Sequence, residues 1–184
     1  EENLEAIVKA SDGIMVARGD MAVEAGAEVV PMVQRKLIAL CRKHAKLCIV
    51  ATQMMASMVD SPEPTRAEVS DVATAVVQGA DAVMLSDETA NGAYPLETVK
   101  AMKKVILFTQ NHSRVASVNR SRADKDSEIY TAISEATAKM AEEINADVIV
   151  CQTATGATAM RMASERPNLP IVSVTSNERV ANQL

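Results

Sequence analysis

The sequence predicts an α/β fold with a parallel sheet, and two observations lead to this prediction. Three short apolar segments of strand length are separated by stretches with helical spacing. Each apolar segment is followed directly by polar residues. Strands that deliver polar groups at their carboxyl ends, one after another, are typical of a (β/α) barrel, in which several strand ends build one active site.

The first predicted strand covers residues 13–17 and is followed by Arg18, Gly19 and Asp20. Its unbroken apolar run indicates a strand covered on both faces. Glycine permits close approach of a ligand to the backbone, and a carboxylate can hold a divalent cation, so one interpretation is a ligand site. The other is an ordinary strand-to-loop turn, where Gly and Asp are common.

The second and third predicted strands cover residues 47–51 and 81–85, and they lead into Thr52 and Ser86 respectively. Parallel strands have their carboxyl ends at the same edge of the sheet. We therefore expect the three strands to be neighbours, with Asp20, Thr52 and Ser86 at one end.

Helices are predicted by apolar residues three and four positions apart. The predicted buried stripes are Leu4, Ile7 and Val8; Val30, Val33, Leu37, Leu40 and Cys41; Val69, Val72 and Val76; and Leu96, Val99, Met102 and Ile106. Thr65 and Glu68 have the spacing of a capping box. His44 and His112 lie near predicted helix ends, where a cation favours the helix dipole, so we interpret both as capping residues rather than metal ligands.

A polar, charged segment over residues 114–126 predicts a linker between a first domain, residues 1–113, and a second α/β domain, residues 127–184. The second domain is predicted to hold an amphipathic helix, a buried strand at 148–150 and a strand at 171–174. The predicted buried stripe of that helix is Ile129, Ile133, Ala136, Met140 and Ile144.

A threonine-rich loop follows the strand at 148–150 and precedes a helix; its candidate ligands are Thr153, Thr155, Gly156 and Thr158. Hydroxyls, backbone N–H groups and a helix N-terminus together can bind a phosphate. A plain strand-to-helix turn with a Thr N-cap is the alternative.

Composition excludes several classes of function. Apolar residues make up 48% of the 184 residues, aromatic residues only 2%, and the net charge is −5, which argues against nucleic-acid binding. No apolar run approaches the ~20 residues of a membrane span, and no secretory signal pattern opens the sequence.

Cys41, Cys48 and Cys151 fit reduced core cysteines of a cytoplasmic protein. Since the sequence does not begin with Met, we expect a piece of a longer protein.

Four segments together resemble the pyruvate kinase family: VARGD with Glu24, ATQM, SPEPTRAEVSDVATAV and DAVMLSDETANGAYPLETV. The resemblance is close over residues 11–99 and looser up to residue 184. The family usually has DLGVE where this chain has Asp20-Met-Ala-Val-Glu24, and SGET where it has Ser86-Asp87-Glu88-Thr89. The resemblance implies the C-terminal half of a TIM (β/α)8 barrel, followed by the start of a C-terminal regulatory domain.

The implied reaction is phosphoryl transfer between phosphoenolpyruvate and ADP, giving pyruvate and ATP in glycolysis. Asp20 then corresponds to a ligand of Mg²⁺ or Mn²⁺, and Gly19 and Asp20 to substrate-binding residues. Thr52 corresponds to a catalytic and substrate-binding hydroxyl on the proton path, and Ser86 lies on the nucleotide side.

The resemblance implies further partners as well. A second metal carboxylate, a cationic Lys and the K⁺ ligands are expected outside this chain, so activity is expected in the full-length parent rather than in these residues alone. A homotetramer is implied, with the loop of Arg66 near a subunit interface. The threonine-rich loop corresponds to the site of a sugar-phosphate effector.

Two alternatives stay open at this point. One is another phosphoenolpyruvate or pyruvate barrel enzyme, of lyase or aldolase type, which also uses acids at strand ends. The other is a non-catalytic, effector-binding fragment. The PTRAE and ET elements together with the threonine-rich loop favour the kinase over the first alternative. The second is favoured only if the strands that would complete the barrel are absent from the native gene.

Overall fold

The computed structural model describes residues 3–113, 115 and 125–184, with side chains from residue 129 in the second stretch. The chain divides into two compact units, Glu1–Val118 and Asn119–Leu184. Most of the predicted linker, residues 114–126, lies outside the described residues, so the predicted domain limits stay a prediction.

The first unit contains three parallel strands in the order β1-β2-β3. They are β1 (Gly13–Ala17), β2 (Leu47–Ala51) and β3 (Ala82–Val83). Ala17 lies opposite Ala51 at the carboxyl ends of β1 and β2. The prediction of three neighbouring parallel strands is therefore confirmed, although β3 is shorter than the predicted 81–85.

Six α-helices and one 3₁₀ turn of this unit lie in the described residues. They are α1 (Leu4–Ala10), α2 (Arg18–Ala25), α3 (Val30–Lys43), the turn Ala56–Val59, α4 (Arg66–Gln78), α5 (Asp87–Ala90) and α6 (Pro95–His112). Helix α2 begins directly after β1, so residues expected in a strand-to-loop turn form the first turn of a helix instead.

The core of the first unit lies between α3, the sheet and α4. Val33, Leu37 and Cys41 of the predicted α3 stripe are buried, and Val72 of α4 is fully buried. The segment after β2 adds three fully buried methionines, Met54, Met55 and Met58. A fully buried side chain of this size contributes roughly 1.5–3 kcal/mol, so the polypeptide just beyond the strand end is itself part of the core.

Some side chains predicted to be buried are exposed. Met15 of β1 is 51% exposed, so β1 is covered on one face only, because the described residues place no layer on the other. Ile7 of α1 is also exposed, as are Leu96 and Val99 of α6.

The buried residues of α6 are Thr98, Met102 and Thr109. The two threonines can be buried because each hydroxyl donates to the carbonyl four residues earlier. A polar side chain that is satisfied within its own helix can therefore occupy the packed face in place of the larger apolar residues.

The second unit contains α7 (Lys125–Glu143), β4 (Ile149–Gln152), α8 (Ala157–Ser164), β5 (Ile171–Val174) and α9 (Glu178–Gln183). Strands β4 and β5 are parallel, with Ile149 opposite Ile171. The strand predicted at 148–150 is not buried on both faces, since Val148 and Val150 are exposed.

Helix α7 packs with a different face from the one predicted. Ser134, Ala138 and Ala141 are its buried residues. The four large residues of the predicted stripe, Ile129, Ile133, Met140 and Ile144, are 56% to 68% exposed, and Ala136 is exposed as well. The small residues recur with the same helical spacing, one position out of phase, and they suit a face that packs against α8.

No helix in residues 3–113 and 125–184 combines the length and the apolar character that crossing a membrane requires.

The packed face of α7 can be tested with one change at two positions. Ala138→Leu adds three carbon atoms to the buried face, and such overpacking should lower the free energy of unfolding by about 1–3 kcal/mol. Ala136→Leu, two residues away on the exposed face, should change it by less than about 0.5 kcal/mol. Urea denaturation followed by circular dichroism measures both. A larger loss at Ala136 than at Ala138 would show that α7 packs with the originally predicted face.

Candidate active site at the strand ends

Asp20, Thr52 and Ser86 follow β1, β2 and β3 respectively, and since the strands are parallel neighbours the three residues lie at the same end of the sheet. Their predicted placement is confirmed, while their chemical roles stay predictions. Asp20 is exposed, and Thr52 and Ser86 are half-buried. The site is thus open to a ligand from the carboxyl side of the sheet.

A hydrogen bond joins the first two strand ends. The Gly19 N–H donates to Thr52 Oγ1 over 2.9 Å. Thr52 and the next residue, Gln53, both have left-handed backbone angles, with φ of 73° and 52°. Such angles are uncommon for residues other than Gly, above all for a β-branched one, so other contacts have to hold this turn in place.

Arg18 supplies those contacts. Its guanidinium donates to the backbone carbonyls of Ala51, Thr52 and Gln53, over distances of 2.6 to 3.3 Å. A further N–H group, at Nη1, pairs with the Asp71 carboxylate of α4. The sequence pattern places Arg18 at a strand end and predicts no role for Asp71. The two are 53 positions apart, and no spacing signal in the sequence connects them.

Asp20 lies in the first turn of α2, where the positive end of the helix dipole favours an anion. Among the residues that the structure describes, no three His, Cys, Asp or Glu side chains come together as a metal site. Mg²⁺ usually takes one or two protein carboxylates and completes its shell with water and substrate phosphates. The exposed carboxylate of Asp20 therefore fits one ligand of such a cation, but these residues do not form a complete cage.

Glu88 joins the second strand end to the third. This carboxylate is only 3% exposed, and it accepts hydrogen bonds from the backbone N–H groups of Met55, over 3.2 Å, and Ser86, over 2.7 Å. Asp87, which stands where the family usually has Gly, is exposed and accepts from the Asn91 side chain. Glu88 belongs to the family-like segment after β3, but the sequence pattern predicts no role for it. The signal for Glu88 in the sequence is an acidic residue inside a motif that directly follows a strand.

Glu68 holds the segment beyond Thr52 against α4. Its carboxylate accepts four hydrogen bonds of 2.5 to 2.8 Å, from the backbone N–H and the hydroxyl of both Ser57 and Thr65. The predicted capping box of Thr65 and Glu68 is thereby confirmed. Burial raises the pKa of Glu68, but the hydrogen bonds from Ser57 and Thr65 outweigh it, so the pKa lies below its ordinary value of 4.5.

The threonine-rich loop of the second unit connects β4 to α8. Thr153 is buried, and its hydroxyl accepts the Gly156 N–H over 2.9 Å. Gly156 is the N-cap of α8 with a φ of 87°, which favours glycine, so the alternative of a Thr N-cap is wrong. Thr155 and Thr158 are exposed. Within the loop, the Thr155 hydroxyl accepts the Ala157 N–H over 3.5 Å, and Thr158 is exposed without belonging to these loop hydrogen bonds.

Fold and site together define a class of protein: a partial (β/α) barrel whose polar groups gather at the carboxyl ends of parallel strands, followed by a second α/β unit. The family model "Pyruvate kinase, barrel domain" matches residues 1–99, and "Pyruvate kinase, alpha/beta domain" matches residues 131–184. The chain belongs to the pyruvate kinase family. This result does not favour the lyase or aldolase alternative, nor the non-catalytic one.

Relatives agree with this assignment. The chain is 47% identical over 184 residues to a pyruvate kinase of Agrobacterium vitis, covering 100% of this chain and 38% of the relative. It is 45% identical over 183 residues to a pyruvate kinase of Geobacillus stearothermophilus, covering 99% of this chain and 31% of the relative. A crystal structure of a pyruvate kinase from Cryptosporidium parvum matches with a TM-score of 0.86 and 38% identity, covering 98% of this chain and 37% of that one. The chain therefore spans less than two fifths of the length of these relatives.

The hydrogen bonds of Glu68 predict a pH-dependent stability. A carboxylate whose pKa is lowered on folding stabilises the protein above its unfolded pKa, near 4.5, and this contribution is lost as the pH falls through the lower folded value. Glu68→Gln should therefore lower the melting temperature at pH 7, and the difference from the unsubstituted chain should shrink as the pH falls below about 4.5.

Glu63→Gln, an exposed change in the same loop, is the control and should have little effect at either pH. Thermal unfolding at several pH values measures all three proteins. A melting-temperature difference that stays constant from pH 7 down to pH 3 would contradict the ionised role of Glu68.

Proposed function

We propose that these residues contribute three strand ends to a pyruvate kinase active site, which transfers a phosphoryl group between phosphoenolpyruvate and ADP and yields pyruvate and ATP. One observation carries the proposal: the hydrogen bond between Gly19 and Thr52. It places side by side the two strand ends that the family resemblance assigns to the substrate. Asp20 follows directly on one of them.

The substrate end of the site depends on charge. Phosphoenolpyruvate is an anion, and the N-terminus of α2 favours anions through the helix dipole. Asp20 would hold Mg²⁺ or Mn²⁺, which when bound neutralises charge on the phosphate and enolate oxygens. Gly19 has no side chain to obstruct the substrate carboxylate, so its backbone can approach it closely.

Thr52 has a hydroxyl suited to the proton step. Its oxygen already accepts the Gly19 N–H, so the hydroxyl hydrogen remains available to be donated. Hydrogen bonds in a chain polarise one another, and acceptance from Gly19 makes the Thr52 O–H a stronger donor. We assign this hydroxyl to the path that delivers a proton to the enolate after phosphoryl transfer.

The proposed function also involves a nucleotide, a second cation, further subunits and an effector. Ser86 is proposed on the nucleotide side, as the family resemblance implies. K⁺ is proposed as a second cofactor, with ligands outside this chain, and the assembly is proposed to be a cytoplasmic homotetramer. A sugar-phosphate effector is proposed at the threonine-rich loop, where the exposed hydroxyls of Thr155 and Thr158 would contact its phosphate.

A chimera provides the test, since the chain covers 38% of the Agrobacterium vitis relative. In it, residues 1–184 replace the matching segment of that enzyme. We expect the chimera to convert phosphoenolpyruvate and ADP to pyruvate and ATP in a coupled assay with Mg²⁺ and K⁺. A folded chimera without this activity would contradict the proposal.

Asp20→Asn in the chimera should weaken Mg²⁺ binding and reduce turnover severely, because a neutral amide removes the charge that offsets dehydration of the cation. Asp12→Asn is the matched control, an exposed aspartate at the amino end of β1, and should leave both unchanged. Calorimetric titration with Mg²⁺ and steady-state kinetics measure the two effects. Unchanged metal affinity in the Asp20 variant would exclude Asp20 as a ligand.

Thr52→Val exchanges one β-branched side chain for another and replaces the hydroxyl with a methyl group. If the hydroxyl lies on the proton path, turnover of the chimera should fall by roughly 10²–10⁴-fold with a much smaller change in the Michaelis constant. Thr52→Ser keeps the hydroxyl and should retain most of the turnover. Near-normal turnover in a Val variant with an unchanged melting temperature would refute the catalytic role.

A further inference from the structure

We propose that Arg18 is a positioning residue for Thr52: its guanidinium holds the left-handed turn at Thr52 and Gln53 and thereby fixes the hydroxyl that meets Gly19. The catalytic consequence of this inference rests on the function proposed above. The positioning of Thr52 by Arg18 is inferred from hydrogen bonds and backbone angles and does not depend on that function.

The turn at the end of β2 needs external support. Thr52 and Gln53 both have positive φ, at 73° and 52°, and neither is a glycine. Residues with a Cβ occupy this region only where the surroundings impose it, and such backbone strain is concentrated at functional sites. Gln53 is exposed, so the packing of its own side chain does not impose the conformation.

The guanidinium of Arg18 matches the turn. Nε donates to the carbonyls of Ala51, over 3.3 Å, and Thr52, over 3.2 Å, and Nη2 donates to those of Thr52, over 2.6 Å, and Gln53, over 3.2 Å. Three consecutive carbonyls therefore point toward one planar cation. A lysine ammonium is a single point donor and cannot reproduce this fork.

Asp71 fixes the guanidinium from the other side. Its carboxylate, on α4, accepts from Nη1 of Arg18, and the Arg18 side chain is only 12% exposed. The hydrogen bonds of Arg18 thus connect two elements, the end of β2 and α4, while its own backbone begins α2 next to Gly19.

The geometry of Thr52 follows from this arrangement. Arg18 fixes the Thr52 carbonyl through its side chain, and the neighbouring Gly19 N–H fixes Thr52 Oγ1 over 2.9 Å. Backbone and hydroxyl of Thr52 are therefore both held by the first two residues of α2. If the guanidinium is lost, the turn can relax toward negative φ, and relaxation moves Oγ1 away from Gly19.

Hydrogen exchange in the 184-residue chain tests the positioning without any need for activity. Arg18→Lys should speed exchange of the Gly19 amide by about tenfold or more, because the opening of its hydrogen bond becomes easier. Arg35→Lys, an exposed arginine on α3, is the matched control and should leave Gly19 unchanged. Adding Gln53→Gly to the Arg18→Lys variant should restore much of the protection, since glycine adopts positive φ without strain.

Kinetics of the chimera test the consequence. Arg18→Lys should lower kcat by roughly 10- to 100-fold, the effect of a small misplacement of a reacting group, with a much smaller change in KM. Gln53→Gly should partly restore kcat in that background. A general loss of stability would lower protection at many amides and would not be rescued at Gln53.

The outcomes separate the two proposals. Unchanged Gly19 exchange in the Arg18→Lys variant, or no rescue by Gln53→Gly, would overturn the positioning role. An active chimera whose kcat is unaffected by Arg18→Lys would overturn its catalytic consequence. An inactive unsubstituted chimera would count against the proposed function, while the exchange measurement would still decide whether Arg18 positions Thr52.

Discussion

The pairing of β1 with β2 is the constraint on which the candidate site depends. Their register places Ala17 opposite Ala51, so the chains leave the sheet side by side and the Gly19 N–H meets the Thr52 hydroxyl. A shift of one residue would turn the side chains of one strand to the other face and break this contact. The site is therefore a direct consequence of strand register rather than of a flexible loop.

Acidic side chains then fix the segments that leave the sheet. Glu88 accepts backbone N–H groups from the ends of two strands, and Glu68 satisfies four donors between the 3₁₀ turn and α4. A buried carboxylate is costly unless it is hydrogen-bonded, and Glu88, which is 3% exposed, meets this condition through the N–H groups of Met55 and Ser86. The acids of this region therefore differ in their surroundings: Asp20 is exposed, while Glu88 and Glu68 accept hydrogen bonds from the segments that leave the sheet.

Periodicity predicted the helices well but chose the wrong face of α7 and only part of the buried face of α6, where Met102 is buried while Leu96 and Val99 are exposed. In α7 two stripes share the same spacing, one of large residues that includes Ile133 and one of small residues that includes Ala138. Only the small stripe is buried. In α6 the buried face carries threonines satisfied by their own helix. Hydrophobicity measures the transfer of a side chain out of water, whereas close packing of two elements also depends on side-chain size. The sequence pattern alone does not show which of these two factors decides the buried face.

Local sequence determined the elements of this protein, because strand runs, the capping box at Thr65 and the polar residues after each strand depend on neighbours a few positions away. The motifs around Asp20 and Thr52 also identified the family. Tertiary structure decided what is long-range: Arg18 meets Asp71 across 53 positions and the turn at Thr52 across 34. Such contacts form only when parallel strands bring distant segments to one edge, and no local propensity encodes a left-handed turn at Thr52 and Gln53 whose carbonyls accept hydrogen bonds from an arginine at the start of α2.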